Sequence, residues 1–212
     1  MALSFDLFGT LVTADRPSEP WDAVSAALSA RSVRVPDDWE AAYRSAHREY
    51  DRGREAPLDE HVRLALASRG IEVTEETATA AVLDAFDSPV TVRDGAIEAM
   101  AAAAQRGPVA VCSNCSVPGL VERTLARADI EPRSGHSFDA VVTSVGCGWR
   151  KPHQRIFEAT ADALGVTLAA LVHVGDDART DGGADRAGAE SVLLDEHPLP
   201  AIAEQLREGE LC

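Results

Sequence analysis

Lys151 is the only lysine in this chain; the other 19 of its 20 basic residues are arginine. It lies in the turn-like stretch Gly146–Pro152, just ahead of a helical pattern. A lysine is a compact, flexible point charge that the planar arginine fork does not replace. Three other segments carry groups able to work with it. Asp6 closes an apolar run in Phe5-Asp6-Leu7-Phe8-Gly9-Thr10-Leu11, Ser113 and Asn114 follow Val111-Cys112, and Asp176, Asp177 and Asp181 follow Val174-Gly175. Brought together, two carboxylate sites, a hydroxyl and an ammonium suit metal-assisted attack on an anionic group.

Each segment sits at the end of a short apolar run. The runs Ala2–Phe5, Val109–Cys112, Ala140–Val142, Leu171–Val174 and Ser191–Leu194 alternate with helical patterns at Pro118–Ala128, Pro152–Leu164 and Ala184–Ala187. Short, dense apolar runs alternating with helices read as buried parallel strands of a doubly wound, Rossmann-like α/β sheet. In such a sheet ligands bind beyond the carboxyl ends of the strands, where all four segments fall. Between the first two strands lie about a hundred residues with no convincing strand but with helical patterns near Trp21–Ala30, Asp38–Arg52, Leu58–Ser68 and Glu75–Phe86. A last helix, Asp94–Arg106, returns to the sheet. The expected organisation is a catalytic core of residues 1–14 and 93–212 with a helical insertion at 15–92.

Composition excludes several classes. Hydrophobic content of 45% is enough for a real core. A formal net charge of −15 argues against nucleic acid, whose phosphates attract basic surfaces, but leaves room for a small anionic substrate. Strong acidity with one lysine fits a protein from a salt-loving organism, or else an acidic protein from a GC-rich genome. No apolar run reaches the roughly 20 residues that span a bilayer, and the amino terminus carries no basic, apolar leader. A cytoplasmic location is therefore expected, with a small molecule as the partner and a homodimer as a further option. Four cysteines (Cys112, Cys115, Cys147, Cys212) are too few for a disulfide scaffold, and one C-x-x-C without a second pair is weak evidence for zinc.

In order and spacing, the four segments resemble the four motifs of the haloacid dehalogenase-like hydrolase superfamily, over essentially the whole chain. The helical insertion falls where that family carries its cap, and Arg150–Phe157 and Asp181–Gly188 extend the likeness. The resemblance implies that Asp6 is a nucleophile forming a covalent aspartyl intermediate. It implies that Ser113, Asn114 and Thr10 contact substrate, and that Lys151 neutralises Asp6 and the transition-state charge. It places Mg²⁺ on Asp6, the backbone carbonyl of Phe8, Asp176 and Asp181, with Asp177 facing either the ion or water.

Phe8 departs from the pattern. Phosphatases of the superfamily carry a second aspartate there, which protonates the leaving oxygen, and losing such an acid costs about 10²–10⁴ in rate. Haloacid dehalogenases carry an aromatic residue at this position, because halide leaves without a proton, but their fourth motif is not built on Gly-Asp-x-x-x-x-Asp. Gly175-Asp176 and Asp181 match the metal-binding phosphohydrolase form. The favoured expectation is thus a Mg²⁺-dependent phosphohydrolase acting on a good leaving group or borrowing an acid, for which His47 and His61 are candidates. The alternatives are a metal-independent 2-haloacid dehalogenase and a catalytically weak member that binds a ligand or protein. Tyr43, His47, Tyr50 and Arg54, at helical spacing, could face the site, as could Arg16.

Overall fold

A computed structural model describes residues 1–130 and 138–211. Five parallel strands form the central sheet in the order β5-β4-β1-β6-β7: β1 Ala2–Phe5, β4 Val109–Ser113, β5 Ala140–Thr143, β6 Leu171–Gly175 and β7 Glu190–Leu193. Alternation along each strand divides the two faces. Leu3, Phe5, Val109, Val111, Val172 and Val174 enter the large core on one face, where α5 (Ala96–Arg106) packs against α10 (Leu199–Glu208). Cys112 faces the other way, onto Ile156 and Phe157 of α8 (Gln154–Ala163) and Ala184 of α9 (Gly183–Ala187). Both faces being covered explains why the strands read as apolar runs rather than as strict alternation.

Four helices lie between β1 and α5: α1 Pro20–Ser29, α2 Trp39–Arg44, α3 Leu58–Ala67 and α4 Glu75–Phe86. They pack on one another around Val24, Leu28, Trp39, Ala42, Val62, Leu66 and Val82. The chain enters and leaves them through two short strands that sequence reasoning missed. Val12–Ala14 (β2) pairs antiparallel with Val90–Val92 (β3), in the register Val12 to Val92. Three-residue strands are too short to show a period, and their partners lie 78 residues apart at Thr13 and Thr91.

The helix expected over Asp38–Arg52 stops at Arg44. Ser45 is extended, its hydroxyl donates to Ala41 O (2.7 Å), and His47 Nε2 lies 2.7 Å from Ala42 O. Side chains therefore take the last carbonyls that a further helical turn needs. Tyr43, His47, Tyr50 and Arg54 consequently do not share one helical face. The carboxy-terminal α10 and the one-turn α7 (Ser144–Cys147) are also additions to what the sequence suggested. Among the described residues no helix is long and apolar enough to cross a membrane.

Candidate active site

The carboxyl ends of β1, β4 and β6 bring the expected residues to one cavity of about 540 Å³. Asp6 follows β1 directly, and its N–H still donates to Val174 O on β6 (2.9 Å), so the carboxylate leaves the sheet at a fixed point. It is only 7% exposed. Lys151, 3% exposed, reaches it from the loop ahead of α8: Nζ donates to Asp6 Oδ1 (2.8 Å) and to Cys112 O (2.8 Å), and pairs with Asp181 Oδ1 (2.7 Å). Burial alone would favour a neutral amine, but the charges of Asp6 and Asp181 outweigh it and raise the Lys151 pKa. The ammonium is thus charged, with its three donors used.

Asp181 is 1% exposed, and both of its oxygens are engaged. Oδ1 meets Lys151 and His173 Nε2 (3.1 Å), while Oδ2 accepts the N–H of Asp177 (3.0 Å). Burial opposes its charge, yet the bond from His173 and the Lys151 ammonium prevail and hold it below the usual carboxylate range. His173, fully buried on β6, was not singled out from the sequence. Burial and then Lys151 lower its pKa, so the ring is neutral: Nε2–H donates to Asp181 and Nδ1 accepts from Ser4 Oγ (2.9 Å). Its signal was present as the one polar member of the apolar run Leu171–Val174.

Asp176 stands exposed at the mouth, and Thr10 Oγ1 donates to its Oδ1 (3.1 Å). Burial, then the charge of Asp6, push its carboxyl upward. Gly9, at φ +96°, lies so close that any Cβ would run into the Asp176 carboxylate, and Gly175 leaves the same kind of room for Asp181. Carboxylate oxygens of Asp6, Asp176 and Asp181 all lie within 4.8 Å of one another. Three acids against one ammonium leave the cluster short of positive charge. That donor set fits a hard divalent ion such as Mg²⁺.

Ser113, 1% exposed, lines the cavity, and its Oγ has no hydrogen-bond partner among the described residues. A buried hydroxyl left unpaired is costly, and an oxygen of a bound anion would satisfy it. Phe8 lines the cavity beside Asp6. Two expected substrate contacts are occupied otherwise. Thr10 is buried off the cavity wall and orients Asp176. Asn114 reaches the wall, but its amide clamps the backbone of Lys151, donating to Lys151 O (3.0 Å) and accepting from Lys151 N (2.8 Å). Asp177 also reaches the wall, and its ion pair with Arg179 lowers its pKa. Tyr43 and Arg16 line the cavity; His47, Tyr50, Arg54 and His61 do not. His47 and His61 instead meet the carbonyls of Ala42 and Tyr43 at 2.7 and 2.6 Å. Cys112 and Cys115 are buried free thiols, both pushed by burial up to about 11.

Sequence reasoning also missed Glu55, which is 4% exposed just ahead of α3. Oε1 accepts from Arg150 (2.9 Å) and Ser116 Oγ (3.1 Å), and Oε2 accepts from Ser144 Oγ. Backbone bonds run alongside, from Arg150 N to Gly53 O (2.9 Å), Glu55 N to Gly148 O (3.1 Å) and Leu58 N to Ser116 O (2.9 Å). The segment before α3 is thereby fastened to the loop that follows Ser113 and to the loop that carries Lys151.

A family model described as a haloacid dehalogenase-like hydrolase matches residues 1–188. No curated protein matches the chain. Among solved structures, the chain is similar to the HAD phosphatase from Thermococcus onnurineus, at 17% identity and TM-score 0.54, covering 99% of this chain and 97% of that one. It is similar to the L-2-haloacid dehalogenase from Xanthobacter autotrophicus, at 24% identity and TM-score 0.53, covering 100% and 84%. It is also similar to a putative HAD-hydrolase from Bacillus subtilis bound to magnesium, at 16% identity and TM-score 0.51, covering 91% and 85%.

Proposed function

Since the chain belongs to the haloacid dehalogenase-like hydrolase family, we propose that it is a Mg²⁺-dependent phosphohydrolase acting on a small phosphorylated molecule. The carrying observation is the charge of the site: Asp6, Asp176 and Asp181 face one another within 4.8 Å with Lys151 as their only buried cation among the described residues. A dehalogenase that works without metal would hold this acidic cluster uncompensated, at an electrostatic cost. Bound Mg²⁺, held by Asp6 and Asp176 with the Phe8 carbonyl, would supply neutralising charge to the reacting phosphoryl oxygens. Asp181, with both oxygens engaged, would anchor Lys151 rather than contact the ion directly.

In this reading Asp6 Oδ2 attacks phosphorus, and the bond from phosphorus to the leaving oxygen breaks, giving an aspartyl phosphate. Water then cleaves that intermediate, releasing orthophosphate and restoring Asp6. Lys151 keeps Asp6 ionised beside an anionic substrate, and Ser113 Oγ donates to a phosphoryl oxygen. Asn114 holds Lys151 in place through its backbone. Phe8 has no proton to give, so the leaving oxygen departs as a stable anion. Helices α1–α4 would act as the cap, covering the cavity with Tyr43, Leu58 and Phe86.

Phe8 also supports a second reading, in which Asp6 attacks carbon and halide leaves without a proton. One panel separates the two. Phosphate release from acetyl phosphate and 4-nitrophenyl phosphate is expected with Mg²⁺ and is expected to vanish in EDTA. Phosphate release that persists in EDTA would sink the metal-dependent mechanism, and chloride release from 2-chloropropionate without metal would establish the second reading.

A further inference from the structure

The cavity is larger than a phosphate group requires, and its wall is uneven in chemistry. Asp6, Ser113, Lys151 and Asp176 gather at the carboxyl ends of the strands, whereas Phe8, Tyr43, Leu58, Phe86 and Leu120 add apolar and aromatic surface to the same space. About 540 Å³ lies within the range of pockets that enclose a small organic molecule. Two arginines line it. Arg150 is committed to Glu55 and Ser116. Arg16, exposed in the loop after β2, makes no hydrogen bond or ion pair with any described residue, its neighbour Asp15 included. A guanidinium on a cavity wall with its donors unspent is matched to a carboxylate or phosphate of a ligand.

The leaving group is constrained from the other side. Phe8 cannot protonate it, and among the described residues no histidine lines the cavity. Tyr43 lines it, but burial raises its pKa and makes the phenol a poorer acid; the Asp177 carboxylate is taken up by its ion pair with Arg179 (3.1 Å). A leaving oxygen that is stable as an anion removes the need for a donor.

We infer that the cavity takes the phosphate ester of an acidic aromatic hydroxyl that carries a second anionic group, the ring lying on the apolar wall and the second anion on Arg16. This rests on the phosphohydrolase reading above. The phosphoryl group transfers to Asp6 as the ester bond breaks, and the aryl oxygen leaves with the bonding electrons as a phenolate.

The test uses 4-carboxyphenyl phosphate, its neutral counterpart 4-carbamoylphenyl phosphate, and acetyl phosphate, with Mg²⁺. The parent is expected to prefer the carboxylate over the carboxamide by about tenfold or more in kcat/KM, the discrimination typical of a hydrogen-bonded charged contact. Arg16→Gln, at an unchanged melting temperature, is expected to bring the two aryl esters to equal kcat/KM. Equal values in the parent, or a preference that survives Arg16→Gln, would overturn the inference while turnover of acetyl phosphate left the phosphohydrolase reading standing. Absence of phosphate release from all three substrates would overturn both.

Discussion

Arg150 and Lys151 are neighbours in the chain, yet each serves a different buried carboxylate. Lys151 turns inward to Asp6 and Asp181 and is 1% exposed in its side chain. Arg150 turns toward Glu55 and stays 44% exposed. The first site is short of positive charge, and Ser113 Oγ has no hydrogen-bond partner among the described residues, which under the proposed function leaves room for a ligand. The second is satisfied within the protein, since the Glu55 oxygens accept from Arg150, Ser116 and Ser144. Of these two sites, the one with the unpaired hydroxyl is the one that opens on the cavity, and the paired one holds two segments of the chain together. Residue type follows the difference: a point charge fits among three oxygens, and a half-solvated fork reaches a buried carboxylate from the surface.

The largest effect should come from exchanging the cation at the first site. Lys151→Arg is expected to lower kcat by about 10²–10³, because the wider guanidinium cannot reach Asp6, Asp181 and Cys112 O together. Single-turnover phosphate release checks this, and full activity would remove Lys151 from the chemistry. Glu55→Ala comes next, with an expected loss of about 2–4 kcal/mol in denaturant unfolding, since Ser144, Ser116 and Arg150 lose their acceptor. KM should rise more than kcat falls, because the mutation loosens the segment carrying α3 and leaves Asp6 and Lys151 in place. A loss confined to kcat would break the contrast between the two sites. Arg150→Lys should cost under about 1 kcal/mol, as the pair is half exposed.

The smallest effect is one of pH. Lys151 has its pKa raised in the folded chain, so its contribution to stability is complete below the unfolded lysine value of about 10.4 and is lost only above it. Activity should accordingly show no alkaline decline from Lys151 between about pH 7 and pH 10, and a Lys151-dependent decline in that window would mean a weaker grip by Asp6 and Asp181.

The first of these two sites was visible in the residues themselves. Asp6, Ser113, Lys151, Asp176 and Asp181 all follow short apolar runs, and a parallel sheet must bring the ends of its strands to one edge. Their partners were less visible. Thr10 and Asn114 look like substrate contacts by position, but Thr10 holds Asp176 and Asn114 clamps Lys151. His173 hides within an apolar run, and Glu55 in a charged loop where nothing distinguishes it from other acids. The helical pattern past Arg44 failed because the hydroxyl of Ser45 and the ring of His47 compete for the last helical carbonyls.

The amino-acid sequence determined the layered α/β fold and the identity of the charged groups at its edge, because apolar periodicity and strand ends are local properties. Tertiary structure alone decided which of those groups are spent on one another and which remain open to a ligand. The bonds that spend them join residues far apart in the chain, Asp6 with Lys151 at a separation of 145, Ser4 with His173 at 169 and Glu55 with Arg150 at 95. No spacing rule reaches that far; only packing brings such donors and acceptors within hydrogen-bonding distance.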